Sequence, residues 1–250
     1  MTGSVIVAGL GPGNQALITP EVSLALAQAT DLIGYFPYVA RVAERPGLVR
    51  HASDNRVELE RATLALTLAA KGRRVVVVSS GDPGVFAMAS ALFEAVENGE
   101  PGWRSLDIQV LPGITAMLAA AARVGAPLGH DFCAINLSDN LKPWGLVERR
   151  LRLAAQADFA MAFYNPRSAS RPDQFARTLD ILREECADAR PVIFARAVSM
   201  PDETIRIVPL TEAVAEMADM RTMVIVGSAA TRLIARPGLP PLVYTPRSVG

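Results

Sequence analysis

Two cysteines, two histidines and two lysines are all that this chain of 250 residues holds of those types. Cys133 and Cys186 lie far apart and match no metal-ligand or redox spacing. This excludes a disulfide framework and a CxxC centre, and two buried, inert thiols are expected. His51 and His130 are too few for an imidazole-rich site, and no His/Cys/carboxylate cluster falls at ligand spacing, so no metal is expected. Net charge is absent too: 25 basic residues face 25 acidic ones, with 10 against 11 in residues 1–128 and 15 against 14 in residues 129–250. Without a basic tail or stripe, the phosphate-neutralising footprint of a nucleic-acid binder is missing. Long apolar runs are lacking as well. RVVVVSS and AMLAAAARVGAP fall short of the ~20 residues that span a bilayer. The opening MTGSVIVAGLGPG has no basic n-region, so no signal peptide is expected and the protein reads as soluble and cytoplasmic.

What is present is ample core material. Half of the residues are hydrophobic and a fifth are charged, which excludes intrinsic disorder and allows one large domain or two small ones. With Lys71 and Lys142 the only lysines, 23 cations are arginines. Two readings stay open for them: a compositional bias, or planar forks that grip carboxylates or phosphates bidentately.

Short β-branched runs alternate with segments of helical period. SVIVAG (4–9), DLIGY (31–35), RVVVVSS (74–80) and DIQVL (107–111) read as strands. Segments 18–29, 57–71, 85–99 and 114–125 read as helices, with Val57, Leu59, Leu64, Leu66 and Leu68 on or near one face of the second. After GAPLGHD the pattern restarts: strands at 132–138, 158–165, 191–198, 203–210 and 222–227, helices at 144–157, 172–187 and 211–219, then a proline-rich tail. The expected fold class is α/β: two consecutive α/β domains, 1–125 and 126–250, with mainly parallel sheets and a ligand cleft between them.

Chemistry in such folds collects where strands end and backbone N–H groups converge, and three loops there stand out. GLGPG (9–13) tempts a dinucleotide-binding assignment, but Asn14 stands where the third glycine of G-x-G-x-x-G belongs and Pro12 removes an N–H. The acidic residue expected about twenty positions on should close the second strand; Asp31 opens it. SSGDPGVF (79–86) places Asp82 near a helix start, either as an N-cap or as an acceptor for a zwitterionic ligand. LPGITA (111–116) repeats the arrangement with Thr115, again a cap or a ligand-facing hydroxyl.

VAGLGPGNQALIT, SSGDPGVFAMA, LPGITAMLAAAARVGAP and TMVIVGS, in this order and nearly end to end, resemble the tetrapyrrole methylase family. Its members are S-adenosylmethionine (SAM)-dependent enzymes acting on uroporphyrinogen and precorrin macrocycles. The resemblance implies two α/β domains, a homodimer, and SAM bound in the cleft. Carried over by position, it places SAM against Gly81, Asp82, Val85 and Phe86, then Thr115 and Ala116, then Tyr164. Ala195, Arg196 and the strand from Thr222 to Val224 close around the adenosine. Gly11, Pro12 and Gly13 turn toward the macrocycle, in keeping with their failure as a nucleotide fingerprint. Three further stretches, IGYFPYV (33–39), NLSDNLKPW (136–144) and FYNPRSASR (163–171), are most similar to the branch that methylates precorrin-3B at C17 and contracts the ring, giving precorrin-4 in cobalamin biosynthesis. Asn136 departs from that branch, standing where a small hydroxylic residue is expected.

The activity so implied needs no enzyme nucleophile, because the electron-rich macrocycle attacks the methyl group directly and catalysis rests on alignment. Ring contraction calls for a proton shuttle. Asp82 and Tyr35 come first as candidates, followed by Tyr38, Ser138, Asp139 and His130; the tyrosines serve equally to pack against the macrocycle, and Asp139 to cap the helix containing Trp144. Arg41, Arg45 and Arg50, and above all Arg167 and Arg171 beside YNPRS, are candidates for the carboxylates of the macrocycle, with solvated loop arginines as the other reading. Rival functions are the sister activities at C20 of precorrin-2 or C11 of precorrin-4, and the same chemistry on a cobalt-containing substrate. From other classes come a nicotinamide oxidoreductase, which needs the missing glycine, and a non-catalytic tetrapyrrole carrier, which needs no intact GDP loop.

Overall fold

The computed structural model describes residues 3–54, 57–187 and 189–248, and the chain divides into two units, Met1–Thr115 and Ala116–Gly250. In the first unit, β1 (Ser4–Gly9), β2 (Asp31–Tyr35), β3 (Val49–Ser53), β4 (Arg74–Ser79) and β5 (Asp107–Leu111) pair in the order β3-β2-β4-β1-β5. Every pairing is parallel. Between the strands run α1 (Pro20–Gln28), α2 (Phe36–Val39), α3 (Glu58–Ala70) and α4 (Met88–Asn98). Thr19 caps α1, its hydroxyl accepting from the Val22 N–H at 3.2 Å, and Pro20 fills the first turn.

Four successive valines have no face to give to water, and β4 is accordingly covered on both sides. Val5, Val7, Val75 and Val77 pack with Ala65, Leu66 and Leu92 of α3 and α4. Their neighbours Ala8, Val76 and Val78 pack with Val22 and Ala25 of α1 and Val39 of α2. Period-two alternation thus divides one apolar strand between two cores. The leucine stripe expected on α3 is corrected. Its buried face is Arg61, Ala62, Ala65, Leu66 and Ala69, while Leu59 and Leu64 are exposed. The 3.6-residue period selects 62, 65, 66 and 69, and alanines there let the helix lie close to its neighbours.

The second unit contains α5 (Ala116–Val124), β6 (Gly125–Ala126), β7 (Phe132–Asn136), α6 (Trp144–Gln156), β8 (Ala160–Tyr164), α7 (Gln174–Glu185), β9 (Pro191–Arg196), β10 (Thr204–Pro209), β11 (Thr222–Val226), β12 (Arg232–Arg236) and β13 (Leu239–Tyr244). Its main sheet has the order β10-β9-β11-β8-β7. Here the expectation of a mainly parallel sheet is corrected: β7 and β8 pair in parallel, but the other three pairings are antiparallel. Helical crossovers through α6 and α7 set β7, β8 and β9 in one direction. The helix expected over 211–219 is only two short 3-10 turns, Leu210–Glu212 and Ala215–Met217. With a short link from β9 to β10 and no helical crossover after it, β10 and β11 run the other way, and β11 inserts between β8 and β9. The proline-rich tail carries the hairpin β12–β13, which joins β6 in a three-stranded sheet. The Gly/Pro joint at 125/126 falls on β6, with α5 before it packed on β11.

Ile135, Met161, Phe163, Val192, Phe194 and Val224 form one core face of the main sheet against Leu151, Phe175, Leu179 and Leu182 of α6 and α7. Both cysteines are free; Cys186 is buried and Cys133 half-buried, and burial pushes both thiols up. Among the described residues no helix is long and apolar enough to cross a membrane.

Candidate active site

Because β4, β1 and β5 are parallel neighbours, the loops that follow them leave one sheet edge side by side. They are joined backbone to backbone. The Leu10 N–H donates to Ser79 O at 2.8 Å, and Gly11 and Gly81 exchange two hydrogen bonds of 3.2 and 2.9 Å. Gly11 and Gly81 hold φ of +64° and +63°, which side chains resist. A Cβ on Gly113 would stand 2.2 Å from Gly81 O, and one on Gly9 2.6 Å from the same oxygen. Only hydrogen fits at either place.

Asp82 ties the second loop to the third. One carboxylate oxygen accepts from the Gly84 N–H at 2.8 Å and the other from the Gly113 N–H at 3.1 Å. It does not cap α4, whose N-cap is Ala87; the residues between include Phe86, left-handed at φ +54° and half-exposed. Val85 is half-buried beside it, and Thr115 is buried directly before Ala116, the first residue of α5.

The arginines after GYFPY are engaged by the protein itself. Arg41 donates to Gly11 O and Gly13 O at 3.1 Å each, and to Leu10 O, so it holds the GLGPG loop by its carbonyls around Pro12. Arg45 donates to Leu26 O at 3.1 Å and to Ala29 O, closing the end of α1. Arg50 pairs with Glu44 and donates to Val39 O. Tyr35 and Tyr38 meet edge to face, with centroids 5.3 Å apart. Burial, and then the neighbouring Tyr35, push the Tyr38 phenol above its ordinary range and so keep it protonated, against the opposing pull of Arg41 and Arg61.

In the second unit the ends of β7, β8 and β9 and the start of β11 share one edge. Asn136 lies opposite Tyr164 in register, and Arg196 opposite Thr222. The Tyr164 hydroxyl accepts from the Met117 N–H of α5 at 3.4 Å. The departure at Asn136 has a structural role: its Oδ1 accepts from the Ser138 N–H at 2.9 Å and from Asn165 Nδ2 at 3.1 Å. Asn165, left-handed at φ +52°, was not singled out by the sequence, although Asn tolerates that conformation better than most residues. Ser138 accepts from the Asn140 N–H at 3.5 Å. Asp139 accepts from Gln174 of α7 at 3.0 Å, so it does not cap the Trp144 helix, whose N-cap is Pro143.

Arg171 is buried and donates to Asn165 O at 3.1 Å, while Arg167 donates to Pro172 O at 3.3 Å. Arg196 is held by Asp219 at 2.7 Å and Asp202 at 3.1 Å. Thr222 donates to Asp219 at 2.7 Å, and Ala195 and Val224 are buried strand residues. His130 precedes β7 and so stands at the far end of that strand from Ser138 and Asp139. Among the described residues no three His, Cys, Asp or Glu side chains gather where a metal ion could sit.

The sequence signature of the Tetrapyrrole (Corrin/Porphyrin) Methylases matches residues 4–214. The chain belongs to the tetrapyrrole methylase family. This methylase is 56% identical over 247 residues to the precorrin-3B C(17)-methyltransferase of Sinorhizobium sp, a match covering 99% of this chain and 97% of that protein. To the probable cobalt-factor III C(17)-methyltransferase of Salmonella typhimurium it is 39% identical over 228 residues, covering 90% and 92% respectively. Among solved structures, the methyltransferase CobJ matches this methylase with a TM-score of 0.93 at 67% identity, over 98% of this chain and 100% of that one.

Proposed function

We propose that this methylase transfers the methyl group of SAM to C17 of precorrin-3B and contracts the macrocycle, giving precorrin-4 for cobalamin biosynthesis. The near full-length likeness to the Sinorhizobium enzyme, well above that to the cobalt-factor III protein, carries the proposal and favours the metal-free substrate.

The residues present fit SAM. In the first unit, Gly81 and Asp82 offer a close backbone approach, and Val85 and Phe86 lay apolar surface beside it. The left-handed Phe86 is a conformation that proteins keep at ligand sites. In the second unit, Tyr164 is assigned to SAM and Ala195, Arg196 and Thr222 to the adenosine, whereas the side chain of Val224 packs in the core away from it. When bound, SAM supplies a methyl group on a sulfonium leaving group. The protein's part is to hold the reacting atoms about 3–3.5 Å apart, and a loop cluster locked by backbone hydrogen bonds suits that task. Gly11, Pro12 and Gly13, fixed by Arg41, are assigned to the macrocycle. Asp82, both oxygens occupied by backbone donors, acts as a positioning residue. Tyr35 and Tyr38, which meet edge to face, are the remaining candidates for the proton shuttle of ring contraction. The enzyme is proposed to work in the cytoplasm as a homodimer, which sedimentation at micromolar concentration tests; a monomer contradicts it.

Incubation with SAM and each candidate precorrin, following product mass and chromophore, tests the activity. Precorrin-3B should gain one methyl and show the spectral change of a contracted ring. Transfer to precorrin-2 or precorrin-4 alone, or only to a cobalt-containing ring, overturns the assignment. Absence of SAM binding by calorimetry would point to an oxidoreductase or a carrier instead.

A further inference from the structure

Lys142 is one of two lysines in the chain, and it lies on the loop after β7, beside the loop that follows the parallel neighbour β8. Its ammonium donates to Ser138 O at 2.8 Å. An ammonium carries three donors, so two remain. On the adjacent loop Arg171 is only 6% exposed. It makes one bond to Asn165 O and a 3.5 Å contact to Met220 Sδ, and its Nε is buried without a partner. Asp139 is the carboxylate that acts through space on both cations, yet it is hydrogen-bonded to Gln174 and to neither of them. Burial lowers the affinity of Lys142 for its proton, and Arg150 and Arg171 lower it further.

A buried guanidinium N–H without a partner is costly, and an arriving anion relieves that cost. A point charge beside a planar fork also suits a carboxylate, which accepts from both. We propose that Lys142 and Arg171 form a carboxylate-binding site at the C-terminal ends of β7 and β8, which takes one acidic side chain of the tetrapyrrole substrate. This rests on the methylase function proposed above and adds Lys142 to the residues that recognise the macrocycle.

Arg171 is buried and its replacement risks the fold, so Lys142 carries the test. Lys142→Gln should raise the KM for precorrin-3B about 10- to 100-fold, the worth of a hydrogen bond to a charged group, and leave SAM affinity by calorimetry and the melting temperature unchanged. Lys142→Arg should restore KM to within a few-fold. A tetrapyrrole with esterified carboxyl groups should bind wild type and Lys142→Gln equally in an absorbance titration. A KM unchanged in Lys142→Gln, with the wild type turning over, overturns the site alone. Weakened SAM binding with unchanged macrocycle binding overturns it too, moving the carboxylate to the amino-acid end of SAM. A wild-type protein that binds no tetrapyrrole overturns site and function together.

Discussion

The two units build their loop clusters from different materials. In the first, backbone meets backbone: Gly11 pairs with Gly81, and Gly9 and Gly113 close on the same carbonyl. In the second, side chains make the connections, through Asn136, Asn165, Asp139, Gln174 and Arg171. Sheet order explains the difference. Parallel neighbours β4, β1 and β5 send three loops off one edge a strand's width apart, so their main chains touch. In the second sheet only β7 and β8 are parallel neighbours, so two loops rather than three leave that edge side by side, and side chains make the links between them. A cluster in which main chains touch is intolerant of added atoms. One made of side chains can be retuned residue by residue.

The sharpest way to break this contrast is a methyl group. Gly113→Ala places Cβ against Gly81 O and the Gly9 main chain, none of which can yield without parting the loops. A loss of about 3 kcal/mol or more in urea unfolding is expected, at the upper end for overpacking, together with loss of SAM binding. Gly145→Ala, in α6 of the second unit with nothing within 4 Å of its Cβ, should be neutral or stabilise by about 0.5–1 kcal/mol through helix propensity. Similar costs at the two sites would dissolve the distinction.

At the other edge of the first sheet lies the next effect. Asp31 is buried and accepts from Arg73 at 2.6 Å, His51 at 2.9 Å and Thr30 at 2.8 Å. Burial alone would raise this carboxyl, but the hydrogen bonds from Arg73, His51 and Thr30 outweigh it and hold it below the ordinary aspartate range. A depressed folded-state value means stability that is fully present above about pH 4 and lost as pH falls below it. Asp31→Asn should therefore cost about 1–2 kcal/mol at pH 7 and flatten the acid limb of the stability profile.

How much of this was legible in the sequence follows from burial. DLIGY marks β2 to the residue, because a central parallel strand is an apolar run with sharp ends, and DIQVL marks the edge strand β5 through the alternation of Ile108 and Val110 with polar neighbours. VRHAS, which forms the edge strand β3, escaped notice because an edge strand keeps polar, half-exposed residues. Strand direction in the second unit was hidden too, since an apolar strand reads alike in either direction and the short 3-10 turns after β10 imitate a helical period. At the candidate site the glycine and GDP loops stood out by composition. What the arginines do was not readable, because an arginine on a carbonyl and one awaiting a ligand look the same in one dimension. Lys142 carried a usable signal, a rare lysine inside a motif already picked out, and Asn136 carried one as a departure from the family pattern.

That departure supplies the third effect. Asn136→Ser puts back the hydroxylic residue, which is too short to meet both the Ser138 N–H and the Asn165 amide. About 1 kcal/mol should be lost, with faster hydrogen exchange at Ser138 and little change at Gly81. Equal acceleration at Gly81 would show that the backbone cluster is not independent.

The smallest effect closes the comparison. Asp202 accepts from Arg221 at 2.7 and 2.8 Å and from Arg196 at 3.1 Å, and Arg221 first, then Arg196, draw its carboxyl down to about 2. The sign matches Asp31: stability present above the ordinary aspartate range and lost as pH falls toward 2. The magnitude does not, because this network is solvated and salt screens it within a Debye length of about 3 Å at 1 M. Asp202→Asn should cost the least of these changes at low salt and nothing measurable at 1 M NaCl, where Asp31→Asn keeps most of its effect. If raising the salt erased both equally, the Asp31 network would be solvated as well, and the contrast between an enclosed first sheet and a second unit stitched by surface charges would fail.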